Sequence, residues 1–182
     1  MEINNLKDSG NRTEFAGGAV RDMAPKGRCD LLPWEEVYFI LEEDFKSSQE
    51  ELFVRYFAYS MNTLTHKIED FENFNNKDFQ ELNFLIIKLL RKSLRYFYGD
   101  KTEGILEVAY HYEDGAKKYS SRNWERGLPL YCFLDSAGRH FLKYMRGDAD
   151  EPHDRAVIWN LLGFSHTMKK EFAKNQTKKP PN

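Results

Sequence analysis

Residues 155–164 read RAVIWNLLGF, and this stretch decides the fold because its apolar side chains cover almost the whole circumference of a helix. A helix that is apolar on every side is buried at the centre of a bundle. Asn160 interrupts the pattern and shares a face with His153, which lies seven residues earlier. We therefore expect two polar side chains to point into the interior from the central helix.

Helical periodicity extends over most of the remaining chain, where apolar residues recur at spacings of three and four and alternating β-branched runs are missing. This pattern predicts an all-α fold, a helical bundle with a central buried C-terminal helix. A first helix should start near Pro33. A helical pair is expected within residues 43–101, with Asn76 or Asp78 as the N-cap of its second member.

Two further amphipathic helices are predicted before the central one. The first begins near Gly104, and its expected buried stripe is Ile105, Val108, Ala109, Tyr112, Ala116 and Tyr119. Its opposite, polar stripe is Glu107, His111, Asp114 and Lys118. The second runs from about Leu130 to Met145 and should bury Tyr131, Leu134, Gly138, Phe141 and Met145. The sequence RGDAD at 146–150 should end it, after which Asp150 can cap the central helix with Pro152 in the first turn.

Composition limits the class of protein. A length of 182 residues fits a single domain, 1–182, and the polar ends, 1–16 and 170–182, are expected to be mobile. A net charge of −2 gives no field that would attract a nucleic acid polymer or an anionic membrane. Cys29 and Cys132 are isolated, which argues against a disulfide framework. We expect a cytoplasmic protein, in the host cytoplasm if it is phage-encoded.

Polar residues on core-facing helices are the candidate functional groups. His153 and Asn160 can form a satisfied internal hydrogen-bond network, or they can line a site together with His140 from the preceding helix. The acids Asp148, Asp150, Glu151 and Asp154 can cap a helix, or they can bind a metal ion together with Glu107 and Asp114. Arg21, Arg28 and Arg126 with Lys117 and Lys118 can hold phosphates, or they can be solvated surface groups. The sequence contains neither a Walker A loop nor a GxGxxG loop after a strand.

Six short motifs carry a resemblance to a known family. They are GGAVRD at 17–22, GRCDLLP at 27–33, EDGAKKYSSRNWERGLP at 113–129, DSAGRH at 135–140, GDADEPH at 147–153 and WN at 159–160. Together they resemble the phage and bacterial dATP/dGTP diphosphohydrolase family, N-terminal-domain type, which is grouped with the MazG-like all-α nucleotide pyrophosphohydrolases. The resemblance covers roughly 17–41 and 104–166, and 43–101 looks like an inserted helical pair.

The resemblance implies metal-dependent hydrolysis of a purine deoxynucleoside triphosphate, dATP or dGTP, to the monophosphate and pyrophosphate, with Mg²⁺ or Mn²⁺ as cofactor. The catalytic candidates are His140, His153 and Asp150. The substrate-binding candidates are Arg21, Arg28, Lys118, Asn123, Trp124, Arg139 and Asn160. The metal candidates are Glu107, Asp150, Glu151 and Asp154. Glu151 to Asp154 gives the ExxD of MazG-like enzymes, whereas the ExxE at Glu69 to Glu72 falls in the inserted pair.

Two other functions stay open at this point. The chain can be a phage protein that sequesters a nucleotide without cleaving it, or a purely structural helical protein in which His153 and Asn160 form an internal network. By analogy with related helical pyrophosphohydrolases, we expect a homo-oligomer, either a dimer or a tetramer. The expected partner is a purine deoxynucleotide.

Overall fold

The structure is a computed structural model that describes residues 10–22, 27–42 and 45–178. Six α-helices account for most of these residues, so the predicted all-α helical bundle is confirmed. The helices are α1 Trp34–Leu41, α2 Ser48–Ile68, α3 Asn76–Tyr98, α4 Lys101–Tyr119, α5 Leu130–Arg146 and α6 His153–Lys178. Two short strands, β1 Arg12–Glu14 and β2 Val20–Asp22, pair in an antiparallel hairpin.

The central helix is α6, as its apolar circumference predicts. It packs against α3, α4 and α5, and Val157, Ile158, Leu161 and Phe164 have no exposed surface. Burial of each side chain of this size stabilises the fold by about 1.5–3 kcal/mol. Neither α6 nor any other helix in the described ranges is both long and apolar enough to cross a membrane.

The predicted helical pair is formed by α2 and α3, and it is part of the core. Phe57 of α2 stacks on Phe141 of α5 with their ring centroids 3.9 Å apart, and both rings are fully buried. The N-cap of α3 is Asn75, one residue before the predicted position, and Asp78 completes a capping box with it. Phe53 and Phe57 of the pair therefore pack in the core, whereas Tyr59 and Phe84 are more than half exposed.

The face that α4 turns inward differs from the predicted one. Val108 is buried as expected, but Ile105 is 54 % exposed and Ala109 is also exposed. His111, which was assigned to the outer polar stripe, is only 6 % exposed, and Lys118 is partly buried. The physical reason is that His111 and Lys118 of this stripe line a cavity, so their polarity does not mark a solvent-facing surface.

The predicted limits of the last two helices need small corrections. The RGDAD sequence ends α5 as expected, with Gly147 in a left-handed conformation at the C-cap. Tyr131, which was expected to be buried, is 38 % exposed because it lies in the first turn of α5 under the exposed guanidinium of Arg28. The helix α6 begins at His153, so Pro152 precedes it and does not stand in its first turn.

Both polar ends contain regular structure that their composition does not predict. Arg12–Glu14 is strand β1, and α6 continues to Lys178. Residues 1–9 and 179–182, for which mobility was also predicted, lie outside the described residues. The first helix begins at Trp34, next to Pro33, as predicted.

Close packing between α1 and α5 generates a prediction at Gly138. A Cβ atom at this position would lie 2.5 Å from Cζ2 of the buried Trp34. Gly138→Ala is expected to lower the free energy of unfolding by about 1–3 kcal/mol, measured by urea denaturation, because the core would be overpacked. Gly115→Ala in α4 is the matched control, since no atom lies within 4 Å of its added methyl group. It should be neutral or stabilising, and equal stabilities of the two variants would contradict the prediction.

Candidate functional site

A cavity of about 740 Å³ lies among α4, α5, α6, β2 and the connection between α4 and α5. This volume is in the range of small-molecule binding sites. Eight of the predicted site residues line it, namely Arg21, Lys118, Asn123, Trp124, Arg139, His140, Glu151 and Asn160. The structure therefore brings together residues that are up to 139 positions apart in the sequence.

Other predicted site residues lie elsewhere. Arg28 is not among the residues that line this cavity. Its guanidinium forms two hydrogen bonds with the carboxylate of Asp30, at 2.7 and 2.6 Å, and lies 4.5 Å from the ring centroid of Tyr131. The hydrogen bonds to Asp30 raise the pKa of Arg28. Arg28 contributes to a second, smaller cavity of about 480 Å³.

The buried carboxylate of Asp135 organises the positive end of the main cavity. Its Oδ2 accepts hydrogen bonds from Nη2 of Arg21, at 3.1 Å, and from Nη2 of Arg139. Its Oδ1 accepts one from the backbone N of Cys29 at 2.8 Å, and Arg21 also donates to Oγ of Ser136. Because two guanidinium groups share one carboxylate, these three side chains carry a net positive charge. Guanidinium groups suit phosphate oxygens, with which they can form paired hydrogen bonds.

Two interactions hold β2 against the cavity. The side-chain amide of Asn123 accepts a hydrogen bond from Val20 N at 2.9 Å and donates one to Val20 O at 2.8 Å. Nζ of Lys118 lies 3.5 Å from Oδ2 of Asp22, and both side chains are largely buried. The clamp formed by Asn123 thus fixes the strand that carries Arg21.

Another part of the wall is aromatic. The ring of Tyr112 lies 5.6 Å from that of Trp124 and 5.8 Å from that of Trp159, between centroids. Asn160 lines the same cavity, and its Nδ2 donates to Ala156 O at 2.8 Å within α6. The cavity therefore combines a positively charged end with an aromatic surface.

His140 and His153 meet across the α5–α6 hairpin, as predicted, with their Nδ1 atoms 3.0 Å apart. Nε2 of His153 lies 2.8 Å from Oδ1 of Asp150, whose Oδ2 accepts a hydrogen bond from Nζ of Lys143 at 3.0 Å. Oε1 of Glu151 lies 3.6 Å from Nδ1 of His140. Burial, followed by the charges of His153 and Arg139, lowers the pKa of His140 well below its ordinary value. His140 is therefore neutral at pH 7.

The four predicted metal ligands do not converge. Asp150 and Glu151 lie beside the two histidines, whereas Glu107 forms an ion pair with Arg155 of α6. Asp154 lies near Tyr98, whose pKa is raised by burial and by the charge of that carboxylate. The reason is the position of the α6 N-terminus: Glu151 precedes the helix, so the spacing to Asp154 does not place both carboxylates on one helical face.

Several cavity residues were not predicted. They are His111, Tyr112, Ser136, Lys143 and Trp159. For α5 the sequence does contain a signal, because Ser136, Arg139, His140 and Lys143 follow at spacings of three and four and form one face of a helix. The sequence of α4 gives no comparable signal. Its helical pattern predicts which residues share a face, but it does not show which face lies against the cavity.

Residues 91–177 match the family model described as dATP/dGTP diphosphohydrolase, N-terminal. This segment is therefore similar to that family, as the motif resemblance predicts. The family is named for a hydrolase that acts on purine deoxynucleotides. The search of curated proteins and the search of solved structures found no match.

The matched segment covers the end of α3, all of α4 and α5 and most of α6. It therefore contains the aromatic wall, the two histidines and Arg139. It does not include residues 17–41, which the motif resemblance also covered. The family match does not extend to Arg21. Its place in the site is supported by its hydrogen bonds to Asp135 and Ser136.

The contacts of Asp135 predict a large loss of stability when its charge is removed. In Asp135→Asn the two guanidinium groups lose their shared buried partner, so the free energy of unfolding should fall by about 3 kcal/mol in denaturant titrations. The control is Glu113→Gln, which removes the exposed ion pair with Lys117 and should have little effect. A loss for Asp135→Asn no larger than that of the control would show that the buried cluster does not stabilise the fold.

Burial of His111 predicts a pH-dependent contribution to stability. Burial and the nearby charge of Arg155 lower the pKa of His111 to about 4. As pH falls below about 6.5, the unfolded chain binds a proton that the folded chain does not bind, so stability is lost between pH 6.5 and 4, by up to about 3 kcal/mol.

In His111→Gln, the decrease in unfolding free energy over this pH range should therefore be smaller than in the wild type. The exposed His66 on α2 gives the control His66→Gln, which should keep the wild-type dependence. Identical pH profiles for all three proteins would rule out the effect of His111.

Proposed function

We propose that this protein hydrolyses a purine deoxynucleoside triphosphate, dATP or dGTP, to the monophosphate and pyrophosphate with the aid of a divalent metal ion. The observation that supports this proposal best is that one cavity combines positive, aromatic and imidazole side chains, most of them within the segment matched to the family. The positive and aromatic groups suit the phosphates and the base of a deoxynucleotide, and the imidazole suits the attacking water.

The positive end suits the triphosphate. Arg21 and Arg139 share one carboxylate and so retain net charge, and Lys143 lies one turn after Arg139 on the same helix. Hydrogen bonds from ionised donors to phosphate oxygens are about twice as strong as neutral ones. These side chains would bind the phosphates and neutralise the charge that develops when the pyrophosphate leaves.

The aromatic surface suits the base. Tyr112, Trp124 and Trp159 form a contiguous set of rings. A purine has a larger ring surface than a pyrimidine and would bury more area against them. Trp124 also packs against His166, with centroids 4.9 Å apart, so its ring is held in place before any ligand binds.

The attacking water would lie beside His140 and Glu151, because these two members of the histidine cluster line the cavity. A divalent ion bound there lowers the pKa of a water molecule and offsets the charge of the phosphate. His153 contacts His140, and Asp150 in turn contacts His153. The predicted ions, Mg²⁺ and Mn²⁺, are part of this proposal, and the donor set present is a mixture of imidazole and carboxylate.

The expected homodimer or tetramer stays a prediction. The outer face of α4 carries Ile105, Leu106 and Tyr110, each more than half exposed. Exposed apolar groups of this kind are often covered by another subunit.

The test is to incubate the purified protein with each deoxynucleoside triphosphate and Mg²⁺ or Mn²⁺, and to measure pyrophosphate and monophosphate. We expect products from dATP or dGTP and none after chelation. Arg139→Gln should lower kcat/KM at least about 10-fold, because it removes a charge-assisted contact. The control Arg91→Gln changes an exposed arginine of α3 and should leave kcat/KM unchanged.

Absence of pyrophosphate with every nucleotide would overturn the proposal. Calorimetry would then distinguish the remaining functions. Tight binding of an intact nucleotide, unaffected by chelator, would indicate a sequestering protein. No binding of any nucleotide would indicate a structural role.

A further inference from the structure

Three donor atoms from two histidines and a glutamate meet around one point. Nδ1 of His140 and Nδ1 of His153 are 3.0 Å apart, and Oε1 of Glu151 lies 3.6 Å from the first and 4.0 Å from the second. A point equidistant from three atoms with these separations lies about 2.1 Å from each. This distance equals the usual length of a bond from Zn²⁺ to imidazole nitrogen or carboxylate oxygen.

The hydrogen bond to Asp150 sets the tautomer of His153. A carboxylate only accepts hydrogen bonds, so the contact of 2.8 Å between Nε2 of His153 and Oδ1 of Asp150 places the proton on Nε2. In the neutral form of this imidazole, Nδ1 carries the lone pair, and it lies 3.0 Å from Nδ1 of His140. Asp150 is itself held by Lys143. A carboxylate that orients a histidine in this way is the usual second partner of a metal-binding imidazole.

The exposed fractions of the three side chains indicate that the protein closes one side of the site. The side chain of His153 is 1 % exposed, while those of Glu151 and His140 are 11 % and 13 % exposed. His140 and Glu151 line the main cavity. An ion held by these three groups would therefore keep a coordination position open toward the cavity, as catalytic metal sites do.

We propose that His140 and His153, through their Nδ1 atoms, and Glu151, through its carboxylate, bind one first-row transition-metal ion per chain, and that Asp150 is the residue that positions His153. Imidazole nitrogen suits Zn²⁺ and other late first-row ions such as Co²⁺, whereas Mg²⁺ prefers oxygen ligands. This inference deepens the proposed function, because the ion would lie beside the attacking water. This set of ligands replaces the predicted set of four carboxylates, Glu107, Asp150, Glu151 and Asp154.

A neighbouring group is the competitor for the ion. Oxygen atoms of Asp148 and Asp150 and a nitrogen of His153 also lie within 4.8 Å of one another. Asp150 faces Nε2 of His153, which carries the proton in the tautomer described above. That nitrogen would have to lose its hydrogen bond before it could bind an ion there. The group around Glu151 keeps the hydrogen bond to Asp150 and needs only the proton shared by the two Nδ1 atoms to move to Nε2 of His140.

The experiment is a titration of metal-free protein with Co²⁺ in the absence of nucleotide, followed by calorimetry and by visible absorption of the bound ion. We expect one ion per chain, and at least about 10-fold weaker binding of Mg²⁺. Glu151→Gln and His140→Ala should each weaken Co²⁺ binding at least about 10-fold and change the absorption spectrum. Asp150→Asn should weaken it by about 10-fold with the spectrum retained, since it removes an orienting partner only.

Asp148→Asn is the matched control, and it should keep both the affinity and the spectrum. Circular dichroism of each variant shows whether it is folded, and Glu151→Gln tests the proposal even if the histidine variant unfolds. Loss of binding in Asp148→Asn but not in Glu151→Gln would overturn the proposal, as would no binding of Co²⁺ to the wild type. Binding of Co²⁺ without hydrolysis of any nucleotide would overturn the proposed function alone, whereas Mg²⁺-supported hydrolysis by a protein that binds no Co²⁺ would overturn the metal site alone.

Discussion

The buried carboxylate of Asp135 is the constraint on which the rest of the site depends. An ionised carboxylate at 4 % exposure is strongly unfavourable unless donors surround it. Its donors come from the N-terminal arm, through Arg21 and Cys29, and from its own helix, through Arg139. The arm must therefore fold over α5 for the charge to be neutralised. That same packing turns two guanidinium groups toward one cavity, so fold stability and charge placement have a common origin.

The fold and the meeting of the histidines could be predicted from the sequence because both follow from helical periodicity. A segment that is apolar on all sides has one low-energy location, the centre of the bundle. Once α6 is central, a short connection from α5 makes the two helices antiparallel neighbours. His140 near the end of one and His153 at the start of the other are then close in space, whatever the details of the loop.

The site details could not be predicted because periodicity defines which residues share a face, and not which face turns inward. On α4 the polar stripe with His111 and Lys118 is inside and Ile105 is outside, since the cavity accepts polar side chains that a packed core would exclude. The spacing of Glu151 and Asp154 did not predict the arrangement of their carboxylates for a related reason. Such a spacing places two residues on one face only within a helix, and Glu151 lies in the preceding turn. Local conflicts of this kind are expected at functional sites, where packing rules are relaxed in favour of chemistry.

In the turn before α6, two adjacent carboxylates contact different partners. Asp150 faces the outer nitrogen of His153 and the ammonium group of Lys143, whereas Glu151 faces the inner nitrogens and the cavity. Consecutive residues can point in opposite directions here because the backbone is not yet helical at these positions. Within a helix, consecutive side chains are only about 100° apart. The position at which α6 begins therefore determines how the acids and imidazoles are arranged.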